Sequence, residues 1–319
     1  MSMYASAFAD TIDEYMRFRT ATGFSSHHAK ILRRFDAYCA TFHPTISTLT
    51  RDIVRGWYFY EVACGYSGLD QKASTIRCFA RFVGGDSYIL PMDCVPKHSR
   101  YVPYILTDEE LRRLFHSVDD FYHEDDPFLS HTLKVLYRLI YGCGLRPNEG
   151  RNLTLDAINF STGELLITKT KRRKERIVVA SDEVLRLLEK YRWLREIIAV
   201  ESEIFFVHTN GKPLKSYEMT RYFKECWSMA NPDIPKEQLP YLRVYDLRHR
   251  FASAVIQKWL DEGKNLYAML PYLRSYMGHA RFEDTAYYIH LLPDRLAKSP
   301  GVEWENIDKT SLEEELWSD

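Results

Sequence analysis

Residues 128–149 read FLSHTLKVLYRLIYGCGLRPNE, and the way this stretch breaks decides the fold. Residues 128–143 are apolar enough for a buried helix. Gly142 and Gly144 then stop it, because glycine tolerates the left-handed turn that ends a helix, and Pro147 suits the first turn of the next one. Arg146 therefore stands at a helix start. Upstream, Thr107 with Glu110 three residues on forms a capping box that opens another helix. Downstream, two β-like runs, 164–168 and 176–179, bracket the turn-prone KTKRRKE. A helix capped by Ser181 and a short strand over 204–207 follow. Helices dominate 216–292. The fold class expected is mainly α with a small antiparallel β-sheet.

The first hundred residues have a different rhythm. Short amphipathic helices are expected over 5–19, 25–42, 47–62 and 69–84, making a small helical bundle. In the second, Ile31, Phe35, Tyr38 and Phe42 form an apolar stripe while Lys30, Arg33 and Arg34 share another face. The fourth repeats the scheme, with Ile76, Phe79 and Val83 inside and Arg77 and Arg81 outside. Such faces are either solvated charge or a contact surface for a polyanion. Three prolines in 87–106 mark a linker. The expected organisation is 1–100 as a helical domain, 101–300 as a second domain, and 301–319 as an acidic tail. Ser311 with Glu314, and Leu312 with Leu316, allow a short helix in that tail.

The formal net charge of −1 hides an uneven distribution: +3 over 1–105, +2 over 106–300 and −6 over 301–319. Local arrangement of charge, more than its total, steers a polyanion. Six scattered cysteines without a CxxC pair point to reduced thiols. No stretch is apolar for long enough to span a membrane, and the N-terminus lacks a secretory pattern, so a cytoplasmic protein is expected. No convergent set of carboxylates of the kind a magnesium site uses is evident, which disfavours a metal-dependent nuclease.

Four segments carry chemistry-bearing residues: GLRPNEG (Arg146, Glu149), YDLRHRFA (Arg248, His249), MGHARFEDT (His279) and AYYIHL (Tyr288, His290). Attack on a phosphodiester loads negative charge on the non-bridging oxygens, and guanidinium forks match those oxygens. A phenol of ordinary pKa near 10 needs a base or strongly positive surroundings to attack, and two arginines supply the latter. Each residue alone is unremarkable in a chain with 43 Lys and Arg and 22 Tyr. Their order and spacing are not.

Together these segments resemble the tyrosine recombinase (phage integrase) family, as found in integrases of mobile elements. The family's Arg with a carboxylate three residues on is similar to Arg146 and Glu149. Its His-x-x-Arg-His corresponds to Tyr245 through His249. Its Gly-His, followed nine residues after that histidine by the nucleophile, corresponds to Gly278, His279 and Tyr288, with His290 in the Tyr-x-His ending; this spacing selects Tyr288 over Tyr287. A lysine on a β-hairpin corresponds to Lys171, with Lys169 as fallback. Six of residues 169–176 are basic, and Arg172 and Arg173 would touch DNA.

The resemblance implies an N-terminal DNA-binding bundle with Lys30, Arg33, Arg34, Arg77 and Arg81 on the duplex, and a catalytic C-terminal domain. It also implies a homo-tetramer on two double-stranded DNA sites, possible accessory recombinases, and no cofactor. The implied reaction passes through a 3′-phosphotyrosine. Tyr245 departs from the family pattern, where histidine or lysine is usual. A phenol there can hydrogen-bond a phosphate, with Glu149 and His249 holding the site in shape and His279 donating to the phosphate. Two alternatives stay open: a non-catalytic DNA-binding regulator of the same fold, and a type IB topoisomerase-like relaxing enzyme.

Overall fold

The computed structural model describes residues 3–24, 26–95, 101–168, 175–198 and 201–289. The chain divides into two compact units, Met1–Tyr101 and Val102–Asp319.

The first unit is four helices: α1 (Ala9–Ala21), α2 (His27–Phe42), α3 (Arg51–Ala63) and α4 (Leu69–Val83). Phe8, Ile12, Leu32, Phe35, Trp57 and Phe79 fill its core. The Phe35 and Trp57 rings meet edge-on at 5.4 Å, a favoured aromatic geometry. Ser47, Thr48 and Thr50 all qualify by type as caps for α3. Only the Thr50 side chain is seen accepting, from the Ile53 amide, so the helix starts later than 47.

Burial corrects one of the expected DNA contacts, Arg77, and an ion pair engages a second, the half-exposed Arg34. Arg77 does not point outward: it is 7% exposed and donates from Nε to the Leu90 carbonyl at 2.6 Å and from Nη2 to that of Pro91 at 2.9 Å. It fastens α4 to the segment after it. Arg34 grips buried Glu61 through Nε and Nη2, and Lys72 completes that carboxylate's shell at 2.6 Å. A guanidinium whose removal would leave a buried carboxylate half-paired has a structural task first. Lys30, Arg33 and Arg81 are exposed.

The second unit is built around α6 (Pro127–Gly142), whose Phe128, Leu129, Leu133, Leu136, Leu139 and Ile140 are all buried. Asp126 caps it by accepting from the Leu129 amide, with Pro127 in the first turn. Before it lies α5 (Asp108–Asp120), opened by Thr107 and Glu110 in a reciprocal capping box; after it, the short α7 (Pro147–Arg151). Then come β1 (Ile158–Asn159), β2 (Glu164–Ile167) and β3 (Arg176–Val179), an antiparallel sheet in that order. Ile158 pairs with Leu165, and Ile167 with Arg176. Leu165, Ile167 and Val178 face the core while Leu166, Ile177 and Val179 are exposed, the alternation of a half-covered sheet.

Helices α8 (Asp182–Ile197), α9 (Ser216–Met229), α10 (Val244–Asp261), α11 (Leu266–Met277) and α12 (Glu283–Ala286) complete the unit. The fold is mainly helical with a small antiparallel sheet, as the sequence indicates.

The strand expected over 204–207 is corrected. That stretch makes only isolated bridges, Thr154 with Ile204 and Val207 with Pro213. Its apolar residues pack in the core; the Phe205 amide donates to the Leu153 carbonyl at 2.8 Å, and Arg195 donates to the carbonyls of Ser202, Ile204 and Phe205. Among the described residues, no helix is long and apolar enough to cross a membrane.

Candidate active site

The end of α6 sets the first arginine. Gly144 takes φ +57°, and a Cβ there would run into the Phe251 ring, so the turn needs glycine. The chain re-enters a helix at once, with Arg146 in extended conformation just before Pro147. Glu149 then accepts from the Arg146 amide at 3.0 Å and from its Nη1 at 2.7 Å. A second guanidinium closes on the same carboxylate: Arg176, the first residue of β3, donates Nη1 and Nη2 at 3.1 and 2.7 Å. Its Nε holds the Tyr276 carbonyl at 2.9 Å. Burial works against a charged Glu149, but the hydrogen bonds and charge of Arg176, followed by those of Arg146, hold the carboxyl at about 2.

Glu149 is thus a hub that fixes two cations. Its ionised form is favoured by folding, so the stability it contributes is full above its ordinary 4.5 and disappears as pH falls toward about 2. Glu149→Gln should destabilise the protein at neutral pH by on the order of 3 kcal/mol. The gap to wild type should close as unfolding is measured at progressively lower pH.

Arg248, in the second turn of α10, lies beside the apolar stripe Leu247, Phe251, Val255 and Trp259, a pattern that by itself turns an arginine toward solvent. The structure corrects this: Arg248 is 0% exposed. Its Nη1 donates to the Gly144 carbonyl and its Nη2 to that of Met277, both at 2.7 Å. These carbonyls belong to chain ends of α6 and α11, where helices leave acceptors unsatisfied. Arg146 does the same one residue further on, donating Nη2 to Gly278 at 2.8 Å. Gly278 is the left-handed cap of α11, at φ +65°. Both arginines therefore read the end of one helix.

His279 follows that cap. Its Nε2 lies 2.8 Å from Arg248 Nη2, and a guanidinium has nothing to accept with. Nε2 must accept, the ring proton sits on Nδ1, and that nitrogen donates to Thr285 Oγ1 at 2.8 Å. Burial, then the charges of Arg248, Arg146 and Arg176, push the imidazolium form down to about 3. In this arrangement the ring is neutral with its one proton committed, so donation to a phosphate requires Arg248 to let go.

Tyr288 stacks on His279 with ring centroids 6.0 Å apart and planes at 18°. It is 2% exposed, and its Oη lies 3.1 Å from His249 Nδ1. Burial pushes the phenol well above its ordinary 10, against the pull of Arg248 and Arg146. The arginines alone do not make it a phenolate. Tyr287, its neighbour, is half-buried. Tyr245 is partly exposed, its ring 5.0 Å from that of His249; burial works against the charge on Arg146, and Glu149 first, then Tyr245, favour it. A groove of about 600 Å³ opens beside Arg146 and Tyr245, with Arg151, Tyr241 and Arg243 also on its wall.

The structure thus gathers Arg146, Glu149, Tyr245, Arg248, His249, His279 and Tyr288. Lys171, its fallback Lys169, Arg172, Arg173, His290 and the acidic tail lie outside the described residues. Three participants were not singled out from sequence: Arg176, Thr285 and Asp246. Arg176 carries a faint signal, as the last cation of the basic run and the first residue of a strand. Asp246 carries another, three residues before His249 on one helix.

The chain belongs to the phage integrase family, the tyrosine-type DNA recombinases: a sequence model of that family matches residues 105–295. Over 312 residues the chain is 28% identical to a Sinorhizobium fredii protein provisionally named integrase/recombinase y4rE, covering 93% of this chain and 96% of the relative. It is 26% identical over 305 residues to tyrosine recombinase XerD of Staphylococcus aureus, covering 90% and 96%. In fold it is similar to the Tn1549 transposon integrase solved with a circular intermediate DNA. That likeness has a TM-score of 0.64 at 15% identity over 89% of this chain and 95% of the other.

Proposed function

We propose that this protein is a site-specific recombinase, the integrase of a mobile element, that cuts and rejoins double-stranded DNA through Tyr288. One observation carries the reading: Arg146, Arg248, His279 and Tyr288, spread over more than a hundred residues, meet around the end of α11. The Tyr288 oxygen attacks the phosphorus, a 3′-phosphotyrosine forms and the 5′ oxygen leaves. The partner strand's hydroxyl reverses the step, so the ester stores the bond energy and no cofactor is needed. The two guanidiniums neutralise the non-bridging oxygens, the largest source of rate in such a site. Lys171 protonates the leaving oxygen.

The N-terminal unit binds the duplex through Lys30, Arg33 and Arg81, giving affinity that falls steeply with salt. Four protomers assemble on two sites, with or without accessory recombinases, and the acidic tail docks on a neighbour to restrain cleavage until they do. The test is a nicked suicide substrate incubated in EDTA. A covalent protein–DNA adduct whose DNA-linked peptide contains Tyr288 is the expected product. A two-site exchange assay then separates recombination from topoisomerase-like relaxation. Absence of an adduct on DNA that the protein binds leaves the regulator reading in its place.

A further inference from the structure

We propose that His249 is the base that takes the phenolic proton of Tyr288, with the negative charge of Asp246 favouring the imidazolium that results; this rests on the reading of Tyr288 as nucleophile. The three groups lie in the order carboxylate, imidazole, hydroxyl. His249 Nδ1 is 3.1 Å from Tyr288 Oη, and His249 Nε2 is 3.9 Å from Asp246 Oδ1. That carboxylate is fully buried and held by the Arg243 amide and Nη2 at 2.8 and 3.0 Å. A proton on Nε2 facing a buried carboxylate leaves the Nδ1 lone pair directed at the phenol. The order carboxylate, imidazole, hydroxyl is that of an activated nucleophile, with the carboxylate acting here through its charge and not through a hydrogen bond.

The other groups of the site do not fit the task. Tyr245, in the position where the resemblance leads one to look for a histidine, is itself a phenol and offers no imidazole lone pair. His279 Nε2 already accepts from Arg248 and its Nδ1 proton is committed to Thr285. Glu149 is tied into two guanidiniums. Burial holds His249 in its neutral form, with an imidazolium value near 4, so the lone pair is present at neutral pH. The charged and titratable groups around it are Asp246, Arg243 and Arg248, with Tyr245, Tyr288 and His279.

The step balances. The Oη–P bond forms as the P–O5′ bond breaks, and the phenolic proton passes to Nδ1. The resulting imidazolium faces Asp246. The leaving 5′ oxygen takes its proton from an ammonium of the basic run at 169–174 or from water. In rejoining, His249 returns its proton to the departing phenol oxygen.

The experiment is single-turnover cleavage of the nicked suicide substrate by wild type, His249→Asn and His249→Ala. Asparagine keeps an acceptor near the Nδ1 position but cannot hold the proton. Its cleavage should fall on the order of 10²- to 10⁴-fold, with DNA affinity and melting temperature unchanged, and the deficit should shrink as pH rises and hydroxide replaces the base. Imidazole added to His249→Ala should raise its rate in proportion to free base. Should the alanine variant fold poorly, the asparagine profile decides alone. Asparagine cleaving within about threefold of wild type, with the adduct still at Tyr288, overturns the assignment of His249 while leaving Tyr288 as nucleophile. No adduct from wild type on bound DNA overturns both.

Discussion

Tyr288→Phe should form no covalent adduct at all while binding its DNA site with wild-type affinity. The ring fits the same cavity between His279 and His249, so packing is preserved and only Oη is lost. Breaking one part-buried hydrogen bond, that to His249 Nδ1, costs about 0.5 to 1.5 kcal/mol of stability, small beside complete loss of the nucleophile. Two assays on one preparation check it: adduct on a denaturing gel, and a binding isotherm on the uncut site. Residual adduct from the phenylalanine variant would mean that another residue attacks, and Tyr287, one position away, would be the first to examine.

Arg248→Lys should lower cleavage on the order of 10²- to 10³-fold, the usual loss for one well-placed donor at a transition state. Lysine keeps the charge and loses the fork. A single ammonium does not replace two guanidinium nitrogens holding separate carbonyls of Gly144 and Met277 with His279 as well. One buried acceptor is left wanting, and a melting point lowered by roughly 1 to 3 kcal/mol worth of stability should accompany the kinetic loss. Arg248→Ala leaves all three acceptors without their donor and opens a void, so its effect on folding should exceed its effect on binding energy alone. Cleavage by the lysine variant at near-wild-type rate would remove Arg248 from the chemistry and leave it a helix-end clamp.

Much of this architecture is legible in the residues because its causes are local. Thr107 with Glu110, Ser181 and Gly144 act within a turn of themselves, and the structure shows them in place, whereas Gly142 is the last residue of the helix and not left-handed. The order of Arg146, Arg248, His279 and Tyr288 singles out one group of residues, and these do converge. Their setting is not legible. An arginine beside an apolar stripe reads as surface, because the carbonyls that accept from Arg248 arrive from residues 144 and 277. Arg77 misleads in the same way: it is buried by peptide oxygens that composition does not reveal. The 204–207 run shows the converse, an apolar segment with the look of a strand whose backbone is shared between isolated bridges and the Arg195 side chain.

The closing turn of α11 engages both arginines of the site, through Met277 and Gly278. A phosphate entering between them meets donors already engaged, and it competes with peptide oxygens carrying only a fraction of its charge. A guanidinium that turned to the phosphate would give up its hold on that helix end, from which the chain leads through His279 to Tyr288. If Tyr288 is the nucleophile, as proposed, substrate recognition and loosening of its tether would be one event: the anion that is to be cut would also unfasten the blade.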